Sequence, residues 1–175
     1  MSPIAIRDAT PEDLPAVVAI YNDVIATSTA IYSSQASTLD ERAAWLAGRE
    51  AAGFPVLVAT TPEGIAGFSS FGEFRGAWPG YRYSVEHSVH VREQCRGRGV
   101  GRALVAALLP RAAALGKHAI IGGIDAANEA SLRLHARLGF ERVALFPQVG
   151  RKFGRWLDLV FVQRFVDAPG APRAD

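Results

Sequence analysis

Apolar residues along the chain fall into two rhythms, one near 3.6 and one near 2. Ile4 to Arg7 alternates apolar and polar positions and predicts a short strand. Leu14, Val17, Val18, Tyr21, Val24 and Ile25 then recur at helical spacing. Thr10-Pro11-Glu12-Asp13 ahead of them supplies a hydroxyl cap, a proline at the first helical position and acids in the first turn, so a helix is expected from Pro11 to about Ile25. After a polar stretch, Thr38-Leu39-Asp40-Glu41 has the spacing of a capping box and opens a second helix to about Ala51. Val56 to Thr60 and Ile65 to Phe74 flank the turn Thr61-Pro62-Glu63-Gly64 and read as a hairpin. Tyr83 to Val91 alternates, with Val85, His87, Val89 and Val91 on one face and Glu86, Ser88 and His90 on the other. Val100, Leu104, Leu108, Ala112 and Leu115 mark a long helix closed by Gly116. Ala119 to Ile124 is a buried-type strand, Asn128 to Leu138 a helix stopped by Gly139, and Val143 to Phe146 and Trp156 to Val166 the last strands.

Strands before and after helices predict a mixed α/β fold. The 175 residues suffice for a single domain, expected over 1–166, with 167–175 a disordered tail. At 49% hydrophobic and 21% charged residues, the composition is that of a globular protein. The longest purely apolar stretch, Ala103 to Leu109, is far short of the roughly 18 residues of a membrane helix, so no membrane partner is expected. The start of the chain lacks the basic and apolar regions of a secretory signal. A lone cysteine, Cys95, excludes an intrachain disulfide and a cysteine-rich metal site, and no other cluster has metal-ligand spacing. These features fit a cytoplasmic chain without a metal. Net charge is only +2, and the one basic cluster is Arg92, Arg96, Arg98 and Arg102. A nucleic-acid binder would show a broader basic stripe with aromatics, whereas a local cluster suits a small anionic ligand.

That cluster surrounds the sharpest motif, Arg96-Gly97-Arg98-Gly99-Val100-Gly101, placed between a strand and a long helix. Glycines let the backbone approach a ligand, and free N–H groups at a helix start face an anion, so the turn reads as a phosphate cradle. It is not a P-loop, which needs GxxxxGK[ST]. Nor is it a dinucleotide fingerprint, because the glycines fall as GxGxG and the first suitable acid, Asp125, comes too late.

RGRGVG resembles the R/Q-x-x-G-x-G/A motif of the GNAT superfamily of N-acetyltransferases. Asn128 to Phe140, NEASLRLHARLGF, resembles its second marker, N-x-x-S-x-x-L-Y-x-x-x-G-F. The segments IYNDVIATSTAIY, VEHSVHV, LHARLGF and VGRKFGRWLDLVFVQ are similar to the phosphinothricin acetyltransferase branch, which includes methionine sulfone and sulfoximine acetyltransferases. The likeness runs from about Ile6 to Val166.

It implies a largely antiparallel twisted sheet, splayed at the cofactor site and flanked by about four helices. It implies acetyl-CoA as co-substrate, its pyrophosphate on the backbone of Gly97, Arg98, Gly99, Val100, Gly101 and Arg102. Val89, His90 and Val91 would hold the pantetheine arm by their main chain, and Asn128 would touch the cofactor. A small amino-acid-like acceptor would meet Arg75, Glu86, His87, Ser88 and Asp125. Relatives of this branch are homodimers, so a homodimer is expected.

Acetylating an amine needs a neutral nitrogen, a polarised carbonyl and a leaving thiolate that gains a proton. An α-amino group of pKa roughly 7.7–8.0 is mostly protonated at neutral pH, so a base is useful. Glu86, an acid in a mid-strand run, is the expected base, acting directly or through water. His135 stands where many members have tyrosine; it is either the acid that protonates the thiolate or a packing residue beside the cofactor. The resemblance makes Arg75 either a clamp for the acceptor carboxylate or a plain solvent-facing arginine. Asp125 either holds the acceptor amine or caps the next helix, and Trp78, Ile31 and Tyr32 either border the acceptor or pack. Lys152, Phe153, Trp156 and Asp158 shape the acceptor site, a dimer contact or simply a hairpin. Two rivals stay open: a peptide N-acetyltransferase, and a non-catalytic acyl-CoA sensor that would have no use for Glu86.

Overall fold

The computed structural model describes residues 3–76 and 78–167. The expected disordered tail lies outside the described residues except for Asp167, which pairs with His118. Strand β1 (Ala5–Asp8) leads through a single turn at Pro11–Asp13 into α1 (Leu14–Thr27). Then come α2 (Leu39–Ala51), β2 (Val56–Thr61), β3 (Gly64–Glu73) and β4 (Ser84–Val91). Helix α3 (Val100–Ala114), β5 (Ala119–Asp125), α4 (Glu129–Arg137), β6 (Glu141–Lys152) and β7 (Arg155–Phe165) complete the chain.

The strands form one sheet in the order β1-β2-β3-β4-β5-β7-β6. All neighbours are antiparallel except β4 and β5, which α3 connects in parallel. Helices cover both faces, as the apolar spacing requires. Leu104, Val105, Leu108 and Ala112 of α3 pack with Leu57, Phe71, Val85 and Ile120 on one face. Val17 and Ile20 of α1 meet Val58 and Phe68 on the other, and Leu46 of α2 joins Leu14 and Val56 there. Burying each of the larger side chains, Val, Leu, Ile or Phe, contributes about 1.5–3 kcal/mol. A sheet covered on both faces explains why β2 opens with four consecutive buried residues rather than an alternation.

Several elements differ from the expectation. The first helix opens as a tight turn, because Pro15 withholds an N–H from the helix start. Asp13 steadies that turn, accepting from the Thr10 N–H and pairing with Arg7 at 2.6 Å. Strand β6 spans twelve residues instead of 143–146. It lies at the sheet edge with both faces largely exposed, so no alternation marks it, and its register shifts between Phe146 and Gly150, where Gln148 has a φ of +52°. Phe153 and Gly154 both have positive φ, as a two-residue hairpin turn demands. His90, placed by alternation among the polar residues of β4, is buried, because Tyr21 of α1 and Phe68 of β3 pack on its ring.

Candidate active site

The site begins where the only parallel pair of the described strands stops pairing. The β4–β5 ladder runs from Ser84/Ala119 to His87/Gly122 and ends there. Beyond it β4 stays bonded to β3 as far as Val91, and β5 stays bonded to β7 as far as Asp125. The two strands therefore diverge into a wedge, and the main chain of Val89, His90 and Val91 has no strand partner on the β5 side. Two glycines of β5 widen it. A Cβ on Gly122 would stand 2.8 Å from His87 Nε2, and one on Gly123 would lie 3.3 Å from the Phe161 ring.

At the mouth of the wedge lies the glycine turn. Gly97 and Gly99 adopt φ of +73° and +87°, and no atom outside the turn approaches within 4 Å of where their Cβ would be. Gly99 is the N-cap of α3 and has no side chain to occupy the first amides, so the N–H groups of Val100, Gly101 and Arg102 remain for an anion. A cleft of about 940 Å³ extends from this turn to the wedge. Val89, His90, Val91, Gly97, Gly99, Val100, Gly101, Arg102 and Asn128 all line it; Arg98 does not. Arg96, Arg133, Arg137 and Arg155 add positive charge along its walls. Bare amides, a helix start and arginines at one end, with open β backbone at the other, fit a diphosphate joined to an amide-containing arm.

A second space of about 90 Å³ sits deep in the wedge, bordered by His87, Ser88, Gly123, Asp125, Asn128 and His135. Asp125 is buried and does not cap α4; it accepts from the Ala127 N–H at 3.0 Å and from the Thr29 hydroxyl. Asn128 is the cap instead, its Oδ1 accepting from the Ser131 N–H at 3.1 Å. Glu86 projects from the face of β4 toward β5: its Oε1 lies 3.4 Å from where a Cβ on Gly123 would be. The residue keeps an exposed surface, yet surrounding protein removes enough water to push its carboxyl pKa above the ordinary value.

His87 and His135 face each other inside the wedge, stacked with ring centroids 5.1 Å apart. His135 Nδ1 lies 2.7 Å from Ser131 O, and since a carbonyl only accepts, that nitrogen carries the hydrogen. Burial lowers the pKa of all three β4/α4 histidines: His87 to about 3, with His135 and His90 adding to the effect, His90 to about 4, and His135 downward against the opposing bond to Ser131.

Not every expected residue converges here. Arg75 follows the end of β3 with a φ of +52°, and its guanidinium stands 5.3 Å over the Tyr81 ring rather than in either space. Trp78 is exposed. Tyr32 donates to Asp158 O at 3.0 Å, and Asp158 Oδ1 accepts from the Gln148 N–H at the β6 irregularity. Lys152 is buried and donates to the carbonyls of Ile25, Ser28 and Ile31, lashing the segment after α1 against the hairpin. Sequence reasoning missed Arg155 at the hairpin tip and Thr29 and Ala30, which that segment carries to the wedge; Phe153, singled out for the acceptor site, a dimer contact or a hairpin, lines the larger cleft. It also passed over the Gly122-Gly123 pair, although adjacent glycines inside a strand were a legible sign of close approach. Among the described residues no group of three or more His, Cys, Asp or Glu could hold a metal ion, and no helix is long and apolar enough to cross a membrane.

A splayed α/β sheet whose wedge ends on an amide-lined helix start defines a protein that lays a long phosphate-bearing ligand along its open strand. Residues 17–140 match the model of the acetyltransferase (GNAT) family. The chain is 47% identical over 164 residues to an L-methionine sulfoximine/L-methionine sulfone acetyltransferase of Pseudomonas paraeruginosa, covering 93% of this chain and 95% of that one. It is 37% identical to a phosphinothricin N-acetyltransferase of Streptomyces coelicolor, covering 92% and 95%. Its structure is similar, with a TM-score of 0.94 and 43% identity, to that of yncA from Salmonella typhimurium with its cofactor acetyl-CoA, covering 98% and 99% of the two chains. The chain belongs to the GNAT family of acetyltransferases, and it is an acetyl-CoA-dependent N-acetyltransferase.

Proposed function

We propose that the enzyme acetylates the α-amine of a small amino-acid-like acceptor, with methionine sulfone and methionine sulfoximine preferred over phosphinothricin. The observation that carries this reading is the wedge itself, which brings a partly desolvated Glu86 carboxyl beside the strand gap where an acyl group on the pantetheine arm would end. The amides of Gly97 to Arg102 hold the diphosphate, the backbone of Val89, His90 and Val91 holds the arm, and Asn128 borders it. Glu86 takes the proton from the acceptor nitrogen. A carboxylate of raised pKa is a better matched base for an amine than an ordinary glutamate.

The acceptor lies against Ser88, His87 and Asp125, and Arg75 would meet its carboxylate only by leaving its place over the Tyr81 ring. Phe161, flanked by Phe74 and Phe146, supplies an apolar wall beside Gly123 and suits a methyl-bearing side chain. The identity to relatives named for the methionine derivatives, higher than to those named for phosphinothricin, supports the same preference. A tetrahedral sulfur or phosphorus group would mimic the glutamine synthetase intermediate, so acetylation would be a detoxification.

We also propose a homodimer. Strand β6 offers an exposed edge, with Val143, Leu145, Phe146 and Val149 exposed on it and Trp156 beside it on β7. A monomeric mass in solution would refute the dimer. A cytoplasmic location belongs to the same reading, supported by the free thiol of Cys95.

The test is thiol release from acetyl-CoA across amino acids, their sulfones and sulfoximines, phosphinothricin and short peptides. Release with the amino-acid derivatives and loss of it in Glu86→Gln are expected. Release with peptides alone would overturn the acceptor assignment.

A further inference from the structure

Four buried ring nitrogens of His87, His90 and His135 have no hydrogen-bond partner: His87 Nδ1, His87 Nε2, His135 Nε2 and His90 Nδ1. Burying a polar atom without a partner is costly, so a native protein supplies partners for such atoms. His87, His90 and His135 all border the space of about 90 Å³ deep in the wedge, alongside Ser88, Asp125 and Asn128. A water needs roughly 10–15 Å³ of such space and two to four polar partners, so this space admits water on both counts. His135 is 1% exposed and His87 7%, so neither ring reaches bulk solvent from its place.

We propose that His87 and His135 together hold a water in the wedge, and that this water gives the departing coenzyme A thiolate its proton. The inference rests on the acetyl-transfer reading above and assigns the step that reading leaves open. His135 cannot be the donor itself: its one hydrogen sits on Nδ1 and is committed to Ser131 O, so Nε2 presents a lone pair to the wedge. A water donating one hydrogen to His135 Nε2 and accepting the N–H of neutral His87 has its second hydrogen free for sulfur. The stack, with planes 29° apart, puts both rings at one spot. Gly122 permits it, since a Cβ there would collide with His87 Nε2 at 2.8 Å.

The balance closes. The acceptor nitrogen bonds to the carbonyl carbon and loses one proton to Glu86. The C–S bond breaks with its electron pair on sulfur, and sulfur takes a proton from the water. Glu86, which borders Gly123 and keeps an exposed surface, releases its proton to solvent, and the water regains from solvent the proton it gave. One proton passes from nitrogen to sulfur overall. His87 and His135 are thus positioning residues that act through the water.

The experiment compares two acyl donors, acetyl-CoA and the acetyl thioester of 4-nitrothiophenol, whose far more acidic thiol leaves without a proton. His87→Leu and His135→Leu should each lower kcat with acetyl-CoA by ~10²-fold, the scale of a lost acid catalyst, with little change in the KM for acetyl-CoA. With the activated thioester His135→Leu should stay within about 3-fold of wild type in kcat, and His87→Leu should recover kcat at saturating acceptor while its acceptor KM rises, whereas Glu86→Gln should be slow with both donors. Equal losses with both donors, or none with either, would overturn the proposal and leave the rings as packing. Should either variant fold poorly, a high-resolution crystal structure of the wild-type complex with coenzyme A decides: a water bonded to both rings supports the assignment, and direct contact of an imidazole N–H with the sulfur refutes it. Failure of wild type to acetylate any amino-acid acceptor would instead strike the function proposed above.

Discussion

Replacing Lys152 by methionine tests whether the acceptor wall is held by one charge. Helix α1 ends at Thr27 with no basic residue in its last turn, so its terminal carbonyls lack a cation of their own. Lys152, far along the chain in β6, supplies it. Its ammonium donates to Ile25 O at 2.6 Å, Ser28 O at 2.7 Å and Ile31 O at 2.8 Å, using all three hydrogens. Burial lowers its pKa from the usual lysine value. Each hydrogen bond to a charged group is worth about 1.5–3 kcal/mol, but three made by one ammonium are not additive, and the charge also lost hydration on folding. A net loss of about 3–5 kcal/mol is expected for Lys152→Met. For a chain of this size that lowers the melting temperature by roughly 10 °C. The freed segment carries Thr29, which bonds Asp125, and Tyr32, which bonds Asp158 O. The KM for the acceptor should therefore rise several-fold while the KM for acetyl-CoA changes less. Urea unfolding followed by tryptophan fluorescence, with steady-state kinetics at a permissive temperature, measures both effects. A stability loss under about 1 kcal/mol with an unchanged acceptor KM would show that the strap carries neither.

Gly67→Ala should cost several kcal/mol and weaken coenzyme A binding, because the new Cβ would lie 2.7 Å from the backbone oxygen of His90 and push the end of β4 that forms the wedge; isothermal titration with coenzyme A is the check. The raised pKa of Glu86 means that its basic form appears only above the ordinary carboxylate range, so kcat/KM should rise with pH through that raised value, and Glu86→Gln should abolish this acid limb. His87 and His90 have folded pKa values of about 3 and 4 against an unfolded 6.5. Their folded values are depressed, so as pH falls below 6.5 the unfolded chain binds protons first and stability is lost, by up to about 1.4 kcal/mol per pH unit for each ring. Urea midpoints at pH 7 and pH 5 should show this loss, and a flat profile would contradict the burial of both imidazoles.

Local signals sufficed for much of this protein. Thr38 and Glu41 cap α2 reciprocally, as their spacing indicated, since a capping box involves only four successive residues. The glycine turn was equally legible, because positive φ and a bare helix start are properties of a few adjacent residues. Other features depend on partners far apart in the chain. The spacing of His87 and His135 says nothing of their stacking, which follows from α4 crossing the wedge. His90 falls in the polar half of the β4 alternation, and its burial comes from Tyr21 and Phe68 packing on its ring. Lys152 reads from the sequence as part of the acceptor site, a dimer contact or a hairpin, and its side chain is spent on a helix end more than a hundred residues earlier. The wedge itself follows from a parallel pairing that stops at His87 and Gly122, and no local propensity marks where a ladder ends. Periodicity and caps are short-range energies that a sequence displays directly, whereas burial, charge pairing and strand register arise only once the chain has packed against itself.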